Sequence, residues 1–380
     1  MAATGTAPIQ VSLDPISANA ATDDLLAAML RANPRVSDLI FSPGRKLQVQ
    51  VNDEFVTVER PGASFLTADD TRRIASDLIG NNKAAIGMLR EQGYCDVSYA
   101  LPGLARFRVN VFIQRGSCAV VMRVIPTTVP DFKSLGAPEK LREVAALREG
   151  LVLIAGPRGS GKSSTLAALL NHINETETCH IITIEDPIEF LHSHQRATIH
   201  QRELHSDTPS VAFAMRAALR QVPNVIAVGE LKDRETMELA LDAAETGHLV
   251  LSTMNTLNAH KTVERFVGAF SGAEQAAVRE RLGLMLRCVV SQRLLPRKNE
   301  SGRVAVFEIV NSGPGLLGDL LDVRSGGKRD PAGLRSSSES HGLDAQLERL
   351  VTSGTVSAET ALAHCTDAHG LARRLAAAPK

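Results

Sequence analysis

The sequence predicts two folded parts, a smaller α+β domain followed by a larger α/β domain built on a parallel sheet. Three observations carry this. Alternating strand patterns flank a capped helix before residue 126. Short, wholly apolar runs alternate with helical stretches after residue 138. A proline-containing break, Pro126 to Pro130, lies between the two regions. With 380 residues there is chain enough for two domains of roughly 100–200 residues each.

Residues 1–22 are small and polar and read as disordered. The α+β domain then spans 23–126. Its first run, DDLLAAMLRA from Asp23, reads as an amphipathic helix. LQVQVNDEFVTV (47–58) alternates around Asn52 and Asp53, a hairpin pattern. Thr67 and Asp70 form a capping-box-like start to a helix carrying Ile74 and Leu78, with Gly80 as its stop. RFRVNVFI and CAVVMRVI, within 104–125, read as two more strands.

Residues 127–137 read as a linker, and Pro138 suits the first turn of a helix over 138–148. The α/β domain is expected over 138–323. Its strands are LVLIA (151–155), HIITI (180–184), VIAV (225–228) and HLVLS (248–252). Apolar runs of this kind suit parallel strands covered on both faces. Ser271 and Glu274 form a second capping box, opening a helix expected to run through about Leu295. Residues 324–342 are rich in Gly, Ser and Arg and read as a flexible linker. The Ala/Leu-rich stretch 343–380 reads as helical.

Lys plus Arg and Asp plus Glu both total 42, so the formal charge is zero, which argues against a chain that coats nucleic acid. The basic–aromatic interleaving of single-strand binders is also missing. The five cysteines show no CxxC or metal-ligand spacing, so no zinc site or disulfide framework is expected and a reducing compartment fits. No signal-peptide pattern or membrane-length apolar run is present, and a cytoplasmic location is the simplest expectation.

Gly156-Pro157-Arg158-Gly159-Ser160-Gly161-Lys162-Ser163 matches GxxxxGK[ST] without a mismatch, and Ser164 follows it. A strand precedes the motif and a helical run follows. Glycines let the backbone curl so that its N–H groups face phosphate oxygens, and the helix N-terminus adds positive partial charge. Lys162 is placed to bridge the β- and γ-phosphates and Ser163 to ligate magnesium. Ligands of open α/β sheets lie outside the carboxyl ends of the strands. The later runs end in acids there: Glu185, Asp186 and Glu189 after HIITI, and Glu230 after VIAV. One carboxylate can hold magnesium while a second orients or deprotonates water. A strand-end acid taken alone is as readily a helix cap or a solvated turn.

From about Asp23 to Glu308 the chain resembles the type II secretion and type IV pilus ATPases. It follows the twitching-motility, PilT-type retraction branch. The segments that carry the resemblance are GPRGSGKSS, TIEDPIEF (183–190), RAALRQVPNVIAVGELKD (216–233), AETGHLVLSTMNT (244–256) and SQRLLPR (291–297). The resemblance implies a PAS-like N-terminal domain and a RecA-like P-loop motor domain. It implies an ATP-hydrolysing homohexamer acting with magnesium on an inner-membrane pilus platform protein, alongside a paralogous pilus ATPase, with no nucleic acid. It also assigns roles: Glu189 as water-activating base, with Glu185 and Asp186 as second choices, and Glu230 as the magnesium and water acid. His248 becomes a γ-phosphate sensor, the alternative being a histidine that caps the preceding helix. Arg108 and Arg123 become phosphate-approaching arginines, and Arg216 and Arg220 a pair near nucleotide or subunit boundary.

Four positions depart from the family pattern: Asn255 where His is usual, Lys232 for Arg, Arg158 for Thr and Asn224 for Asp. The segment after Glu308 lacks the motif associated with retraction. The short N-terminal region lacks the further domain and tetracysteine insertion of the extension and secretion branches. Two readings follow, a motor for pilus retraction and a weakly hydrolysing, ATP-binding accessory subunit.

Overall fold

The computed structural model describes residues 9–10, 20–51, 54–59, 65–125, 128–298, 302–311 and 342–377. The chain divides into two compact units. One comprises residues 1–128 with 189–191, the other residues 129–188 with 192–380. No helix among the described residues is long and apolar enough to cross a membrane.

The first unit runs β1 (Ile9–Gln10), α1 (Ala20–Ala32), β2 (Val36–Phe41), β3 (Leu47–Val51), β4 (Glu54–Glu59), α2 (Ala68–Ile79), α3 (Lys83–Gln92), β5 (Tyr94–Leu101), β6 (Ala105–Gln114) and β7 (Ser117–Ile125). Its sheet has the order β1-β4-β3-β2-β7-β6-β5 and is antiparallel apart from the β1–β4 pair. Alternation fixes its inner face: Phe107, Val109 and Val111 of β6 are buried, while Arg108 between them is exposed. The expected hairpin is the β3–β4 pair, Leu47 facing Val58, with Asn52 and Asp53 outside the described residues. Thr67 caps α2 in a full capping box with Asp70, and Gly80 closes it at φ 55°. Helix α1 begins at Ala20, ahead of the expected start at Asp23. Thr22 donates to Asp77 at 2.6 Å and Tyr99 to Asp23 at 2.5 Å, which ties α1 to α2 and β5. The stretch expected to be disordered thus contains the start of α1 and the two residues of β1. Of its remainder, residues 1–8 and 11–19 lie outside the described residues.

The second unit runs α4 (Lys140–Ala145), β8 (Gly150–Ala155), α5 (Lys162–Thr176), β9 (His180–Glu185), β10 (Thr198–Glu203), α6 (Val211–Ala218), β11 (Val225–Val228), α7 (Arg234–Glu245), β12 (Leu249–Met254), α8 (Ala259–Gly268), α9 (Gln275–Met285), β13 (Leu286–Pro296), β14 (Arg303–Asn311), α10 (Leu343–Thr352), α11 (Ala358–His364) and α12 (Ala368–Ala377). Its sheet has the order β10-β9-β11-β12-β8-β13-β14, parallel throughout except for β13–β14. Every residue of β8 is buried. Leu151, Leu153 and Ala155 feed one core with α6–α9, and Val152 and Ile154 feed the other with α4 and α5. This is the expected α/β class, with the α+β part before it.

Three local expectations are corrected. Residues 128–137 are not a free linker, because Phe132 is buried in the core under α4 and Ser134 and Asp131 cap one another's turn. Helix α4 is confined to Lys140–Ala145. The helix expected from Ser271 to Leu295 ends at Met285 and gives way to β13. Cys288, Val289 and Val290 are buried between β8 and β14, and β-branched residues in that position favour a strand. Residues 324–341 of the expected second linker lie outside the described residues.

Candidate active site

Parallel strands end on one edge, so register decides what meets there. Ala155 of β8 pairs with Met254 of β12, Val228 of β11 with Ser252 of β12, and Ile184 of β9 with Val228. The phosphate loop after β8, Glu185 and Asp186 after β9, Glu230 after β11 and Asn255 after β12 therefore share this edge. Cross-links fix it: Gly156 N–H donates to Met254 O at 3.3 Å, Gly229 N–H to Ile184 O at 2.8 Å and Leu231 N–H to Thr253 O at 3.1 Å.

The loop itself curls at Gly159 (φ 74°) and Gly161 (φ 85°), a region that favours glycine. Gly161 is also the N-cap of α5, so backbone N–H groups of the loop and the first turn converge. Lys162 is buried, and its ammonium donates to the carbonyls of Gly156 and Pro157, both at 2.9 Å. Pro157, Arg158 and Gly159 are exposed at the tip, while Ser160 is buried and Ser163 and Ser164 are half-buried.

The Glu230 carboxylate accepts from the Asn255 amide and lies 3.9 Å from the Lys232 ammonium. Lys232 also reaches Asp186 at 3.5 Å. Glu185 accepts from Thr183 Oγ1 at 2.6 Å and Gln201 Nε2 at 3.0 Å. Glu189 is exposed, one residue beyond the buried Ile188, whose N–H donates to the buried Glu203 at 3.2 Å. The Ser163 hydroxyl and the Glu230 carboxylate are hard oxygen donors. Among the described residues, no group of three or more His, Cys, Asp or Glu side chains is placed to hold a metal. The Ser163 and Glu230 oxygens suit magnesium by their chemistry, since that ion takes hard oxygen ligands and completes its shell with phosphate and water.

His248 is not brought to this edge. Its carbonyl accepts from Gly150 N–H at 3.0 Å, at the far end of β8. A six-residue strand at about 3.3 Å per residue puts it some 17 Å from the loop. Its Nδ1 meets Ala243 O at 2.9 Å and Thr246 Oγ1 at 3.1 Å, so within this unit it closes the end of α7. The sensor expectation gives way to the capping alternative there. Asn255, seven residues on, stands at the phosphate edge instead. Arg216 pairs with Glu235 at 2.5 Å, and Arg220 is exposed in the turn leading to β11. In the first unit Arg108 and Arg123 are direct cross-strand neighbours on β6 and β7. Arg123 Nε donates at 2.9 Å to the buried Asp38 on β2.

One residue against the loop carries no role in the sequence reading. Gln292 of β13 is 2% exposed, and its Oε1 accepts from Thr165 Oγ1 at 2.6 Å. The two lie 127 residues apart in sequence, so no local pattern links them.

The model of the type II/IV secretion system protein family matches residues 97–359. A twitching motility protein of Neisseria gonorrhoeae is 45% identical over 266 residues, 70% of this chain and 71% of the relative. A type IV pilus retraction ATPase, PilT, of Pseudomonas aeruginosa is 44% identical over 70% of this chain and 77% of its own. The crystal structure of a pilus retraction motor PilT with bound ADP superposes with a TM-score of 0.81 at 36% identity, covering 89% of this chain and 95% of that one. With a shared fold, a continuous family match and the phosphate-loop geometry in place, this chain belongs to the type II/IV secretion system protein family.

Proposed function

We propose that this chain is a subunit of a hexameric motor that hydrolyses Mg-ATP to power type IV pilus retraction. It would work from the cytoplasm on an inner-membrane platform protein. The observation that carries the reading is that the loop 156–163 and Glu230 follow parallel strands that end on the same sheet edge, in a chain similar over most of its length to retraction ATPases. Loop N–H groups and Lys162 hold the phosphates and offset their charge. Ser163 and Glu230 would hold magnesium, which would supply positive charge against the triphosphate. Glu189 orients the attacking water and takes its proton. By family resemblance alone, Arg108 and Arg123 would serve as phosphate-binding arginines, and Arg216 and Arg220 as a pair for nucleotide or a neighbouring subunit.

A second reading is an accessory subunit that binds ATP and turns it over weakly beside a paralogous ATPase. Asn255 and Lys232 favour it, since together they occupy the Glu230 carboxylate. Steady-state hydrolysis by the purified protein separates the two. For the motor, Glu189→Ala lowers turnover by about a hundredfold or more while ATP still binds. Lys162→Ala abolishes binding. Equal, minimal rates in wild type and Glu189→Ala, with nucleotide bound in both, would leave the accessory reading standing.

A further inference from the structure

We propose that Gln292 is a positioning residue for the phosphate loop, setting its affinity for triphosphate through Thr165 and two loop glycines. The inference rests on the nucleotide-binding part of the proposed function. Ser291 pairs with Ala155, so Gln292 stands beside the point where β8 becomes the loop. Its side-chain Oε1 accepts from the hydroxyl of Thr165, a fully buried residue in the first turn of α5. A Cβ added to Gly156 would lie 2.5 Å from the Gln292 carbonyl oxygen, and one added to Gly161 would lie 2.8 Å from Gln292 Nε2. One buried residue therefore touches the loop at its first glycine, at its last glycine and at the helix that follows. The loop's N–H groups converge on phosphate only while these three points keep their spacing. Small displacements of preorganised donors weaken binding steeply.

The hydrogen bond and the close approach can be tested separately. Gln292→Met keeps the length and removes both polar ends. Thr165→Val removes the hydroxyl, and Thr165→Ser keeps it. Gln292→Glu keeps an acceptor for Thr165 but sets an anionic oxygen against Gly161, beneath the bound phosphates. Titration calorimetry with ATP and magnesium reads affinity, and melting of the nucleotide-free protein reads stability. Expected is a loss of about tenfold in ATP affinity for Gln292→Met and for Thr165→Val, from the orphaned partner in each. Their double variant is no weaker than either single, because the two act through one contact. Thr165→Ser binds as wild type, and Gln292→Glu loses more than Gln292→Met. Melting that falls while affinity holds, or losses that multiply in the double variant, would overturn the proposal. Wild type and Lys162→Ala serve as controls. If wild type fails to bind ATP, the functional reading falls. If wild type binds, Lys162→Ala does not and the Gln292 variants bind normally, only this inference falls.

Discussion

Asn255 meets Glu230 with an amide where the family pattern has a histidine. An amide donates without titrating, so Asn255 adds no charge of its own at any physiological pH. It orients one carboxylate oxygen, while Lys232 stands 3.9 Å from the other. Replacing the amide by an isosteric carboxylate inverts the interaction. In Asn255→Asp two carboxylates face each other, and one must be raised in pKa or turned away. We expect turnover at pH 7.5 to fall about tenfold or more, since the general acid–base and metal-holding geometry is lost. Binding of ATP without magnesium stays close to wild type, because the loop 156–163 is untouched. A magnesium titration of turnover, beside ATP binding in chelator, checks this. The loop was legible in sequence because its eight residues are consecutive and its turn needs glycine. His248 and Asn255 were harder, because they share one motif but lie beyond opposite ends of β12. Strand direction, which no motif spells out, decides which of them reaches the phosphate edge.

The span from α9 to β14 shows the same limit for elements. Its apolar residues fit a helix as well as a buried strand, and sequence pattern alone continued the helix to Leu295. Tertiary context settles it, since β13 fills the position between β8 and β14. Glu308 sits on β14 opposite Ser291. Burial pushes its carboxyl above the ordinary glutamate range. A carboxyl whose folded pKa is raised binds its proton more tightly in the native state than in the unfolded chain. Stability from this group is therefore full below the unfolded pKa and is lost as pH rises through the folded value. Glu308→Gln removes that loss. The variant should melt higher than wild type at pH 8, with the advantage shrinking as pH approaches 4.5. Thermal melts across that range test the sign. An advantage that grows on acidification would contradict it.

At the scale of the whole chain, the first unit encloses one core and the second a core on each face of its sheet, and the C-terminal helices form a further apolar cluster with β13 and β14. Leu295 and Val306 of the sheet pack with Leu343, Leu347, Val356 and Leu371. The Gln346 side chain accepts from Phe307 N–H at 3.1 Å and donates to Phe307 O, standing in for a further strand at the open edge of β14. The sequence showed these helices by composition, but their seat on β14 depends on contacts across residues 312–341. Removing residues 324–380 should separate stability from binding. Uncovering Leu295 and Val306 costs about 3 kcal/mol or more, enough to lower the melting temperature by about 10 °C. The freed β14 edge also invites pairing between molecules, so the truncated protein should aggregate more readily. ATP affinity measured well below the melting point should nonetheless match wild type. The loop 156–163 rests on β8, α5 and Gln292, and the C-terminal cluster includes none of these. Loss of affinity in a folded truncation would mean that the C-terminal helices help to build the nucleotide site.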